Sequence, residues 1–270
     1  MRKRTDSCIR LWICALFLVA CTTSPLGRQQ LLLYPQSEVD AMGAAAFDQM
    51  RSQMPRGSSP RTDDYVECIV QRIVAVLPAE TDFSGGTWEV EIFEDESANA
   101  FALPGGKIGV HSGMLEIAAT PDPLAAVLAH EVAHVVAEHT NERLSTTAVA
   151  QSGLQAVQIL AGSETPAQRQ LMALLGVGAQ IGVLLPFNRA QETEADLIGL
   201  RLMARAGFDP RASITLWERM AEREGGNPPE FLSTHPASAS RIAQLRAALP
   251  DAVPLFDGAS RGPRCTPPGS

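Results

Sequence analysis

The sequence predicts an α+β domain, mainly helical, with a small antiparallel sheet placed just before its most apolar helix. Three observations lead to this. Apolar residues recur at helical spacing through most of the chain. One region, Thr87 to His111, instead alternates or runs apolar between Gly/Pro turns. The run Leu124 to Val136 is apolar almost throughout, yet it holds His130-Glu131-Val132-Ala133-His134. At 270 residues and 45% hydrophobic, the chain can bury one compact core. No repeat of fixed period is visible. A formal charge of −8 disfavours nucleic-acid binding.

The first twenty residues read as a signal peptide. Basic Arg2, Lys3 and Arg4 precede a short apolar segment, Leu11 to Ala20, which ends in Leu18-Val19-Ala20-Cys21. Small residues before a cysteine resemble a bacterial lipobox, which implies acyl chains on Cys21, a membrane anchor through that residue and an outer-membrane, periplasmic location. Cys8 and Cys14 leave with the signal. In an oxidising compartment the remaining pair, Cys68 and Cys265, is expected to form a disulfide.

The expected organisation is a tether over residues 21–36, a domain over 37–250 and an irregular tail over 251–270. A helix is expected from Ser37 to about Gln53 and a second from about Arg61 to Leu77. Strands follow at Thr87 to Ile92, Asn99 to Leu103 and Lys107 to His111, with Pro104-Gly105-Gly106 as a turn. Ser112 starts a short helix, and Thr120-Pro121-Asp122-Pro123 leads into the His130 helix. The stretch Leu171 to Leu185 is apolar but shorter than the ~20 residues of a span, so it reads as a cleft-lining or membrane-facing helix. Later helices are expected at Arg189 to Ala206, Pro210 to Glu224 and Pro236 to Leu249.

The His130 helix carries the chemistry. Residues i and i+4 lie about 40° apart on a helix, so His130 and His134 can offer two imidazole nitrogens to one cation. Glu131 can then take a proton from a water beside that cation. This is the HExxH pattern of zinc hydrolases, with one Zn2+ per chain expected. Two histidines are only part of such a site; a third ligand is required. His139 falls about 140° round a continuing helix from His134 and points elsewhere. The longer HExxHxxGxxH pattern fails, because Ala137 and Thr140 occupy its other positions. Downstream, Glu192 and Asp196 share a helix face at i, i+4. Glu192 is assigned as the third ligand and Asp196 as the carboxylate that supports a ligand histidine. Glu194, about 200° from Glu192, reads as a solvated or rim charge, and His111 as a surface residue.

Together the HEVAH motif, Glu192-Thr193-Glu194-Ala195-Asp196 with Gly199, the Ala206-Gly207-Phe208-Asp209-Pro210 stop, the Asn99 to Gly106 segment and His235-Pro236 resemble peptidase family M48. These are the gluzincins related to HtpX, Oma and the CAAX prenyl proteases, and the likeness is to the bacterial lipoprotein members of the BepA and LoiP kind. The resemblance spans about Asn99 to Arg241. It implies a zincin metalloprotease fold and endopeptidase activity on unfolded or misfolded envelope proteins. It further implies that Asn99, Ala100, Phe101 and Ala102 form a substrate-binding edge beside the cleft. His235 would act at the zinc, stabilising an oxyanion or occupying the water position as a latch, and Arg241 would support the site. No tetratricopeptide array is evident after the protease domain. The competing expectation is a latched, non-proteolytic lipoprotein that serves as a chaperone or assembly factor.

Overall fold

The structure, a computed structural model, describes residues 21–78, 87–161, 188–223, 230–236, 238–260 and 262–269. The expected signal segment and Leu171 to Leu185 lie outside the described residues. Among the described residues no helix is long and apolar enough to cross a membrane.

The stretch expected as a tether is folded. Strands β1 (Cys21–Thr23) and β2 (Gln29–Leu31) pair as an antiparallel hairpin, with Cys21 opposite Leu31. Helix α1 covers Gln36–Gln53 and α2 covers Pro60–Val74. Ser59 caps α2 by accepting a hydrogen bond from the Thr62 amide, and Pro60 stands at the first turn, where its missing N–H costs nothing.

Three strands follow, β3 (Glu89–Phe93), β4 (Ala100–Leu103) and β5 (Lys107–His111), in the spatial order β3-β5-β4. The expected antiparallel sheet is therefore mixed. β4 and β5 form an antiparallel hairpin, closed through Gly105 and Gly106 at φ of 78° and 73°, whereas β5 runs parallel to β3. Alternation of side chains reports which face of a strand is buried, not which strand lies next to it.

The remaining helices are α3 (Ser112–Ile117), α4 (Pro121–Val136), α5 (His139–Ala161), α6 (Arg189–Arg205), α7 (Arg211–Arg223), α8 (Phe231–Thr234) and α9 (Ala239–Asp257). α9 continues beyond the expected end at Leu249, through Pro250 and Pro254. Each proline removes a helical hydrogen bond, but Ala252 between them is fully buried, so packing holds the helix together across that loss.

Helix α4 is the centre of the domain. Every residue from Leu124 to Val135 is buried, and α2, α6, α7 and edge strand β4 surround it. Its closest partner is α6. A Cβ on Gly199 would stand 3.0 Å from the carbonyl carbon and oxygen of Ala129 and from the His130 nitrogen, so any side chain there would press the two backbones apart by a few tenths of an ångström. α6 stops as the sequence predicts. Gly207 adopts φ 77°, and the Phe208 amide donates back to Met203 O at 2.9 Å, the closure of a Schellman turn.

The expected disulfide is present. Cys68 on α2 joins Cys265 across 197 residues, with a Cα separation of 5.6 Å, and pins the C-terminal segment to α2. Replacing both cysteines by serine should lower the unfolding free energy by roughly 2–5 kcal/mol, because the denatured chain regains the entropy of a long loop. Urea denaturation of the oxidised and double-serine proteins checks this; equal midpoints would show that the bridge does not constrain the unfolded chain.

Candidate metal centre

Helices α4 and α6 and the end of α8 converge on four buried side chains, His130, His134, Glu192 and His235, whose potential ligand atoms all lie within 4.8 Å of one another. α4 presents His130 and His134 from one face, with His134 Nε2 3.1 Å from His130 Nε2. From α6, Glu192 places Oε2 3.5 Å from His130 Nε2 and Oε1 3.4 Å from His134 Nε2. His235 adds Nδ1 at 3.2 Å from His130 Nε2 and 2.9 Å from Glu192 Oε1.

These separations test the fit of a metal. Ligands about 2.0–2.1 Å from a tetrahedral zinc lie roughly 3.3–3.4 Å from each other, and the contacts above, at 2.9–3.5 Å, bracket that edge. The donor set of imidazole nitrogens and one carboxylate is that of zinc. The electrostatics agree with the geometry. Burial alone would lower the His130 pKa, but Asp196 and Glu192 outweigh it and raise it to about 9. A field that stabilises a protonated ring there stabilises a cation held among the same groups equally well. Burial likewise works against an ionised Glu192, yet His130, His134 and His235 hold its pKa well below the usual carboxylate range.

Behind the donors stand their supports. Asp196 Oδ1 lies 3.1 Å from His130 Nδ1, as expected for the carboxylate that orients this ring. Arg241 clasps Asp196 with two contacts, Nε to Oδ2 at 2.7 Å and Nη2 to Oδ1 at 2.8 Å. It also places Nη1 2.7 Å from Glu192 Oε2 and lies over the Trp217 ring at 4.1 Å. His130 Nδ1 and Glu192 Oε2 still lack a hydrogen bond of good angle, so their contacts to Asp196 and Arg241 are ion-pair approaches rather than aligned bonds. At under 3.2 Å in a buried site Coulomb attraction persists even where the hydrogen-bond angle is poor.

Glu131 lies on the strand side. Its Oε2 accepts from the Ala102 amide at 3.1 Å, and Oε1 sits 3.4 Å from His235 Nε2 without an aligned hydrogen bond. Burial pushes its pKa upward, opposed by His235 and His130. Of the expected substrate edge, Asn99, Ala100, Phe101 and Ala102 are all buried, and β4 is an edge strand facing α4. Phe101 turns toward Phe93 and His111, with ring centroids 6.2 and 6.1 Å away.

Three expectations are corrected. His139 does not point away from His134. α4 ends at Val136, Glu138 adopts φ 52°, and the reversed chain brings His139 Nδ1 within 2.8 Å of His134 Nδ1. A glutamate in the left-handed region is uncommon and nothing in its residue type signals it; a glycine would have. Glu194 does lie on the far side of α6 from Glu192, but that side is covered. It is 4% exposed and binds His139, Ser24 and Arg28, which hold its pKa down at about 2 against the effect of burial. His111 is 6% exposed rather than at the surface, its Nδ1 2.8 Å from Ser97 Oγ, and burial lowers its pKa.

A sequence profile described as "Peptidase family M48" matches residues 60–249. The chain belongs to this family. Members of M48 are zinc-dependent metalloproteases, and the four-donor cluster fits that ion. The chain is 44% identical over 190 residues to the mitochondrial metalloendopeptidase OMA1 of Schizosaccharomyces pombe, covering 70% of this chain and 53% of that protein. It is 33% identical to the mitochondrial metalloendopeptidase OMA1 of Danio rerio, covering 91% and 54%. It is 29% identical to the beta-barrel assembly-enhancing protease of Escherichia coli, covering 76% and 42%. The chain thus spans about half the length of these M48 relatives. The expected bacterial outer-membrane location is overturned: the relatives at 44% and 33% identity are mitochondrial metalloendopeptidases.

The close approach at Gly199 yields a test. Gly199→Val should separate α4 from α6, cost about 1–3 kcal/mol of stability, and weaken zinc affinity because Glu192 moves away from the histidines. Chelator competition checks the affinity, with Glu192→Ala as the reference loss; zinc affinity unchanged in Gly199→Val would show that the helix spacing does not set the site.

Proposed function

We propose that this chain is a zinc-dependent endopeptidase in which His130, His134 and Glu192 hold the metal and Glu131 is the general base. The observation that carries the reading is the place of Glu131: a buried carboxylate beside the donor cluster, one oxygen fixed by an edge-strand amide and the other lacking an aligned hydrogen bond. When bound, zinc supplies Lewis acidity that polarises the scissile carbonyl and makes a nearby water more acidic. Glu131 takes the proton from the attacking water at Oε1 and passes it to the leaving amine. The Ala102 amide on Oε2 fixes the carboxylate so that this oxygen faces the cluster. Family membership and the likeness to two endopeptidases and an assembly-enhancing protease support this chemistry.

The substrates proposed are unfolded or misfolded proteins. An edge strand such as β4 can take up an extended chain by backbone pairing with little regard to side chains, which suits this class.

One observation favours a refinement. His235 Nδ1 would offer a fourth donor to a bound zinc, where a hydrolytic site keeps room for water and substrate. Zinc held by all four groups would be latched, and substrate entry would require His235 to withdraw.

Glu131→Gln should keep stoichiometric zinc and lose roughly 10²–10⁴-fold of casein cleavage; equal cleavage by this variant and wild type, or wild type that binds zinc but cleaves nothing even as His235→Ala, refutes the protease reading. His235→Ala should retain zinc and raise basal cleavage several-fold. A fall of about 10²-fold would instead assign His235 to oxyanion stabilisation.

A further inference from the structure

The metal donors account for His130, His134, Glu192 and His235, and Asp196 and Arg241 account for the orientation of His130 and Glu192. None of these explains why His139 and Glu194 are buried at 0% and 4% exposure beside the site, or why an N-terminal hairpin places an arginine on Glu194. We propose that Glu194 and His139 form a relay that positions the metal ligand His134, and that Arg28 makes the β1–β2 hairpin a working part of the metal centre. The proposal rests on the zinc-site reading above and concerns residues outside the donor set.

The hydrogen bonds around Glu194 and His139 fix the direction of the relay. Glu194 receives four donors from outside its own helix: the Ser24 hydroxyl, Arg28 Nε at 2.9 Å, the Leu26 amide at 3.3 Å and His139 Nε2 at 3.2 Å. A carboxylate so surrounded only accepts, so His139 Nε2 carries hydrogen. In the neutral ring Nδ1 is then a lone pair. His134 Nδ1, 2.8 Å from it, must donate. This leaves His134 Nε2 as a lone pair, and that is the atom facing His130 and Glu192. The tautomer a metal ligand needs is thus set three residues away from the metal, by a carboxylate acting through a second histidine.

The hairpin locks the carboxylate. Arg28 reaches past Glu194 to Glu142, Nη2 to Oε2 at 2.7 Å, and Gln191 Nε2 meets the same oxygen at 2.7 Å. Gln30 Nε2 donates to Ala137 O at 2.6 Å, at the chain reversal that delivers His139, and the Leu33 amide donates to Ser145 Oγ at 2.8 Å. Arg28 therefore ties the start of α5 to the start of α6, the two places that present His139 and Glu194.

The test uses the full chain with His139→Phe, which keeps a ring and removes both nitrogens, His139→Asn, whose oxygen restores an acceptor near the Nδ1 position, and Arg28→Met. Zinc affinity by chelator competition should fall about 10–100-fold in His139→Phe, recover in large part in His139→Asn, and fall to a smaller degree in Arg28→Met. The visible spectrum of the cobalt-substituted protein should shift in His139→Phe, while the melting temperature of the zinc-free protein stays near wild type. Nitrogen-15 NMR of the zinc-free wild type should show His134 as the Nδ1–H tautomer. Zinc affinity and cobalt spectrum unchanged in His139→Phe would overturn the relay and leave the protease reading standing. An Nε2–H tautomer at His134 would overturn it as well. A wild type that binds no zinc but holds the Nδ1–H tautomer, lost in His139→Phe, would support the relay and count against the protease reading.

Discussion

A single buried carboxylate, Glu192, is the constraint on which the rest of the structure depends. It is 2% exposed and sits among three imidazoles and the Arg241 guanidinium. An ionised group in such a place is costly unless it is paired from several sides. Three elements bring these four neighbours: α4 brings two histidines, the end of α8 one, and α9 the arginine. The pairing therefore adds to the packing of α4 and α9 against α6 at one point, and a cation among these donors would complete the compensation.

Backbone geometry makes the convergence possible. α4 is apolar on every side but one, so it sinks to the middle of the domain and carries its histidines with it. α6 brings Glu192 close to the histidines at a crossing where Gly199 leaves no side chain to press the helices apart. Asp196, one turn after Glu192, follows on the same face and meets His130. One close crossing thus sets a ligand and the support of another ligand together.

The two ligand histidines are oriented by separate means. His130 leans on Asp196, which Arg241 holds. His134 leans on His139, which Glu194 holds, and Glu194 is itself fixed by the N-terminal hairpin. Both supports end in an arginine, where a planar guanidinium can satisfy carboxylates from two directions. The arrangement explains why a hairpin with strands of three residues is ordered at all: its arginine and serine find buried partners that offset the entropy of fixing a short segment.

Much of this was legible in the sequence, because it depends on local periodicity. The i, i+4 spacing put His130 with His134 and Glu192 with Asp196, and glycine at the αL position marked the end of α6. The run of the elements, the Cys68–Cys265 pair and the family could likewise be read from residue types in order. Strand neighbours, the folded hairpin, the continuation of α9 through its prolines and the roles of His139, Glu194 and Arg28 could not. Those depend on which groups meet across long separations in the chain. The reversal at Glu138 uses a backbone conformation that its residue type does not announce, and whether a carboxylate on the far side of α6 meets water or a guanidinium is decided only when the hairpin is in place. The sequence by itself determined the donors; tertiary packing decided what holds them, since burial and partner choice are properties of the assembled core rather than of any segment.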